Sequence, residues 1–168
     1  MNVPVMTRRA ALLGGVSLLA ACGGGPRFLT YDGPAVTSIV VYKGRRKLHL
    51  MHEAEILKTY DFELGFAPVG HKQIEGDGKT PEGLYYIDRK NPNSSFHLSV
   101  GISYPNAEDR ARAAAIGHSP GGDIFIHGTP RAFRGDRDWT WGCLAVSNSE
   151  IEVIYSMVRV GTPIWLYP

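Results

Sequence analysis

Asp123-Ile124-Phe125-Ile126-His127-Gly128-Thr129-Pro130 and, after a polar spacer, Thr140-Trp141-Gly142-Cys143-Leu144 decide the reading of this chain. Asp123–Ile126 is a short apolar run that reads as a buried strand, and it delivers His127 at its end. Cys143 follows sixteen residues after His127. A thiol becomes a nucleophile when a base within hydrogen-bond reach removes its proton and a third group fixes the tautomer of that base. An imidazole titrates near neutrality, so His127 is suited to accept the thiol proton and later return one to an amine. Gly128 leaves its own carbonyl accessible to the second ring nitrogen. Gly142 puts no side chain before Cys143, so backbone N–H groups there can approach an oxyanion. Spacing alone leaves a second reading open, in which His127 and Cys143 are packed structural residues.

Cysteine usage bears on that choice. The chain has two cysteines, Cys22 and Cys143. Met1–Ala21 carries Arg8-Arg9, then the uncharged apolar run Ala10–Ala21, and no acidic residue, which is the layout of an export signal over residues 1–21. The run is well short of the roughly 20 apolar residues that a membrane-spanning helix needs. Thr7-Arg8-Arg9-Ala10-Ala11-Leu12 is similar to a twin-arginine signal, and Leu19-Ala20-Ala21-Cys22 to the lipobox that precedes a lipidated cysteine. A plain secretory signal with an incidental Cys22 is the alternative. Residues 22–35, beginning Cys22-Gly23-Gly24-Gly25-Pro26, read as a flexible tether. The expectation is an exported, periplasmic or cell-envelope protein held to a membrane by a lipid anchor. A lipidated Cys22 leaves Cys143 without a disulfide partner, and a free thiol in an oxidising compartment calls for a reason.

Working outward, residues 36–168 are long enough for one domain with a single core. Val36–Met51 reads as a hairpin about Gly44, Thr59–Leu64 alternates as a strand, and Gly76–Gly83 is turn-rich loop before a strand at Leu84–Ile87. Phe96–Tyr104 and Ile164–Tyr167 are further strands. Asn106–Ile116 is acidic early and basic late with Gly117 beyond its end, as a helix should be. Ser147 and Glu150 fit a capping box opening a second helix along Ile151, Ile154, Tyr155 and Val158. The expected class is mainly β with a few short helices, a sandwich or open barrel.

The two motifs, preceded by Gly76-Asp77-Gly78-Lys79-Thr80-Pro81-Glu82-Gly83-Leu84-Tyr85, resemble the L,D-transpeptidase catalytic domain, the YkuD-like family, over about Val36–Pro168. The resemblance implies a β-rich domain acting on peptidoglycan stem peptides without metal or organic cofactor. It implies Cys143 as nucleophile, His127 as proton acceptor and donor, the Gly128 carbonyl as its orienting group, and the amides of Gly142 and Cys143 as oxyanion donors. The acyl-enzyme is then resolved by an amine, giving a cross-link or an attached wall-linked lipoprotein, or by water, as an L,D-carboxypeptidase or amidase. Thr140 stands where serine is usual, Trp141 where histidine is frequent, and Ala145 where arginine is usual. This T-x-G-C-[I/L]-A pattern is similar to a branch that includes hydrolases. Loss of that arginine removes a bidentate anchor for carboxylate. Arg131, Arg134 and Arg137 in the spacer are the candidates to replace it, with Thr140, Trp141 and His118 as further substrate-contacting candidates.

Other classes are disfavoured. Removing Arg8 and Arg9 with the signal leaves sixteen basic and sixteen acidic side chains, which is not the footprint of a nucleic-acid binder. The histidines lack zinc-site spacing, and the stretch around Gly76–Gly83 lacks the phosphate-loop pattern. Two rivals stay in view: a cysteine peptidase acting on proteins, and an inactive peptidoglycan-binding module.

Overall fold

The computed structural model describes residues 26–168; the expected export signal, Cys22 and the start of the tether lie outside the described residues. Eight strands form one mixed sheet: β1 (Ser38–Tyr42), β2 (Lys47–His52), β3 (Glu55–Asp61), β4 (Gly83–Asn91), β5 (Ser99–Ile102), β6 (Phe125–His127), β7 (Leu144–Ala145) and β8 (Pro163–Tyr167). Their order is β3-β2-β1-β8-β4-β5-β6-β7. The pairs β1–β8 and β6–β7 are parallel and the rest antiparallel.

Period-2 patterning sets which face is core. Ile39 and Val41, Leu48 and Leu50, Tyr85 and Ile87, and Ile164 and Leu166 all point inward and are buried. Two helices complete the domain. In α1 (Ala107–Ala115) Asn106 caps and Asp109 closes the capping box; in α2 (Asn148–Met157) Ser147 and Glu150 do the same. Ile151, Ile154 and Met157 of α2 enter the core.

The sheet curls because its two edge strands come together. Past β3 the chain turns inward, Glu63 pairs with Ala145 of β7, and Gly65 pairs with Thr140. Both Glu63–Ala145 backbone bonds form at 2.9 Å. The result is a curled, open half-barrel, mostly β and single-domain.

Three expected strands differ at their ends for local reasons. The alternation at Thr59–Leu64 spans two partners: Asp61 still pairs with β2, whereas Phe62 and Leu64 are buried on the way to β7. His97 and Asp123 have φ of 76° and 54°, outside strand geometry, so β5 begins at Ser99 and β6 at Phe125. The spacer contains a short 3-10 turn at Arg131–Phe133, and β7 is only two residues long, too short to carry a pattern.

Candidate active site

The loop between β3 and β4 is the platform beneath the cysteine. Asp77 folds it by accepting from the backbone N–H of Gln73, Ile74 and Lys79 and from Lys72 Nζ. Burial opposes the Asp77 charge, but these donors hold its carboxyl below the usual range. Lys43, only 2% exposed, donates to the carbonyls of Gly70 and Thr80 and to Glu82 Oε1 at 2.8 Å. Burial pulls the Lys43 pKa down and the Glu82 contact works against that pull.

Against this platform lies the turn Thr140–Cys143. Gly142 has φ of 122°, and a Cβ there would run into the Lys79 carbonyl, so the position admits no side chain. Thr140 Oγ1 accepts from Gly142 N–H at 3.1 Å and donates to the Cys143 carbonyl at 2.8 Å. Thr80, fully buried, donates from Oγ1 to the Gly142 carbonyl at 2.8 Å. Thr140 is thus a buried brace of the turn rather than a surface offered to substrate. The Gly142 N–H, expected as an oxyanion donor, is engaged by Thr140.

His127 ends β6 and is 3% exposed. Its Nδ1 lies 2.7 Å from the Gly128 carbonyl. A carbonyl only accepts, so Nδ1 carries the proton and Nε2 is left as the basic nitrogen. Gly128 allows this close packing, since a Cβ there would lie 2.5 Å from Asn148 Oδ1 and 2.8 Å from the Phe96 carbonyl. The ring is stacked on Phe96 at 4.5 Å and 27°, and Trp139 packs edge-on at 5.6 Å. Burial lowers the His127 pKa, with the Gly128 hydrogen bond opposing.

Cys143 directly precedes β7, one strand over from His127. The two side chains line one cavity of about 410 Å³ together with Asn91, Ser94, Phe96, Asp123 and Phe125. The thiol accepts from Phe125 N–H at 3.4 Å and donates to the Asp123 carbonyl at 3.5 Å. Burial pushes the Cys143 pKa up to about 11, with the Phe125 N–H opposing and Asp123 reinforcing. Both shifts favour the neutral form, thiol and imidazole alike. Such a pair suits proton transfer during attack rather than a preformed thiolate.

The remaining candidates are dispersed. A second cavity, of about 710 Å³, is lined by Ala145, Thr129, Trp139, Arg27 and Arg134 among others. Of the three spacer arginines only Arg134 lines the cavity that Ala145 lines; Arg131 and Arg137 are exposed and line neither cavity. Trp141 is 70% exposed and packs edge-on against Phe66 at 5.0 Å. His118 is exposed on the loop after α1 and lines neither cavity. Sequence reasoning passed over Phe96, the Phe125 N–H, the Asp123 carbonyl and Thr80. Thr80, Asp123 and Phe125 stood in quoted stretches but read only as turn or strand, and Phe96 only as the start of a strand.

Comparison with known proteins agrees with the fold and with the family. Residues 36–166 match the model of the YkuD family, the L,D-transpeptidase catalytic domain. "Putative L,D-transpeptidase YafK" of Escherichia coli K12 is 31% identical over 126 residues, covering 71% of this chain and 46% of that protein. The chain thus spans about half the length of the curated relatives it matches. The crystal structure of the helical cell shape determining protein Pgp2 from Campylobacter jejuni superposes with a TM-score of 0.61 at 25% identity, over 86% of this chain and 51% of that one. An L,D-transpeptidase from Mycobacterium smegmatis gives 0.54 at 16% identity, over 80% and 59%, a likeness of fold.

Proposed function

The chain belongs to the L,D-transpeptidase catalytic domain family, and from that premise we propose that it modifies peptidoglycan stem peptides through a thioester at Cys143. The observation that carries this reading is that the thiol and the imidazole line one cavity, with the Gly128 carbonyl leaving His127 Nε2 as the free base. Nε2 takes the thiol proton as Sγ attacks the carbonyl carbon of the third stem residue. The oxyanion collapses, the C–N bond to the terminal D-alanine breaks, and the departing amine leaves with the proton from His127. An acceptor amine, or water, then attacks the thioester and gives its proton to Nε2. Sγ leaves and recovers that proton. With the Gly142 N–H held by Thr140, the amide of Cys143 itself is the oxyanion donor of the turn.

Arg134 is the residue we assign to substrate carboxylate, because it reaches the cavity that Ala145 leaves without a guanidinium. Hydrolysis of the acyl-enzyme is the second reading, favoured by the absence of that anchor on β7 itself. By analogy with the shape-determining relative, the product would be a change in cross-linking or stem length that alters cell shape. Export and anchoring through Cys22 belong to the same proposal and rest on the sequence of residues 1–22.

Incubating the purified protein with tetrapeptide muropeptides and with lipoprotein-linked muropeptides, and weighing the products, tests the reading. A dimer, a tripeptide or a released lipoprotein is expected, together with a thioester adduct on Cys143. Product formation that survives Cys143→Ala would overturn it.

A further inference from the structure

Thr80 is fully buried, contributes nothing to either cavity, and spends its hydroxyl on a single acceptor, the Gly142 carbonyl at 2.8 Å. That carbonyl and the N–H of Cys143 belong to one planar trans peptide, so they point in opposite directions. Fixing one aims the other. On either side of that peptide, Thr140 Oγ1 takes the Gly142 N–H and gives its own proton to the Cys143 carbonyl. Thr80 thus holds the Gly142–Cys143 peptide itself, while Thr140 holds the peptide units on either side of it.

We propose that Thr80 is a positioning residue that aims the Cys143 N–H at the oxyanion of the acyl-transfer step, an inference that rests on the thioester reading above. The surroundings of Thr80 fit a group that has to be held still. Lys43 Nζ grips the Thr80 carbonyl at 3.0 Å and Glu82 at 2.8 Å, and Asp77 with Lys72 locks the loop just ahead of it. The Lys79 carbonyl packs against the Cα of Gly142, which prevents the peptide from rotating toward that side. An oxyanion donor acts through preorganisation, so a small rotation of this peptide weakens transition-state stabilisation without altering the thiol, the imidazole or the cavity.

The test compares wild type, Thr80→Val and Thr80→Ser in the full chain, with Cys143→Ala as control. Two rates are read for each: turnover of a tetrapeptide muropeptide, and alkylation of Cys143 by iodoacetamide, a displacement that develops no oxyanion. Thr80→Val, close in shape but without a donor, is expected to lose about 100-fold in kcat with KM and the alkylation rate changed less than about twofold. Thr80→Ser is expected to recover most of that loss. Wild-type kcat in Thr80→Val overturns the inference, as does a parallel fall in alkylation or the loss of a cooperative melt, since either marks a merely structural hydroxyl. A wild type that turns over no stem peptide and forms no Cys143 adduct overturns the enzyme reading itself. That result is distinct from an active wild type matched by its Thr80→Val variant.

Discussion

Phe96 lies face-to-face with His127, ring centroids 4.5 Å apart and planes 27° from parallel. The contact shields one face of the imidazole and lines the cavity shared with Cys143. Phe96 comes from the irregular segment before β5, so this shield is set by the fold around the β5–β6 pair rather than by the histidine's own strand.

Phe96→Ala should open the imidazole to water. Phe96 keeps over a third of its surface exposed, so the stability loss should be about 2 kcal/mol, below that of a fully buried phenylalanine. The His127 pKa should rise toward its ordinary value as the desolvation that lowers it is relieved. Nuclear magnetic resonance titration of the ring checks this; an unchanged midpoint would show that Trp139 and the strand supply the burial.

The pH profile follows from two opposite shifts. Burial lowers His127 and raises Cys143 to about 11, so neutral base and neutral thiol coexist from below pH 6.5 up toward that upper limit. The acid limb of kcat/KM should have its midpoint below 6.5, because only protonation of His127 removes the base. In His127→Gln, the alkylation rate of Cys143 should rise with pH with its midpoint near 11, above the midpoint near 9 of an unperturbed thiol. A midpoint at 9 would refute the buried-thiol picture.

Arg134→Gln should raise KM for stem peptides about tenfold, the scale of one charge-assisted hydrogen bond. Arg131→Gln and Arg137→Gln, which line neither cavity, should stay within about twofold of wild type. Steady-state kinetics on single variants separates them, and equal effects at all three would point to general charge attraction instead.

Lys43→Ala should cost about 2 kcal/mol, below the scale for a fully buried pair because the Glu82 side chain stays 21% exposed. It leaves the Glu82 carboxylate and the Thr80 carbonyl without their donor. Denaturant unfolding measures the loss. Because Lys43 braces the loop under the Gly142–Cys143 peptide, kcat should fall as well.

Much of the fold is legible in local pattern. The β1–β2 hairpin, both helices and the Ser147/Glu150 capping box follow from alternation, turn residues, charge placement and capping spacing, because those interactions close within a few residues. The ends of β5 and β6 do not, since His97 and Asp123 adopt positive φ under tertiary demands. The curl of the sheet is equally silent in sequence. It depends on Glu63 meeting Ala145, two residues that carry no mutual signal across 82 positions.

The site divides the same way. The sequence singled out the candidates for the chemistry: a strand delivering His127, a glycine before Cys143, and an alanine two residues beyond that cysteine. Their surroundings came from the packing of distant segments. Burial lowers the His127 pKa and raises that of Cys143, Thr140 takes the Gly142 N–H, and Arg134 alone of three arginines lines the cavity beside Ala145. The reason is that residue identity supplies a functional group, whereas desolvation, hydrogen-bond competition and reach depend on what distant segments place within a few ångströms of it.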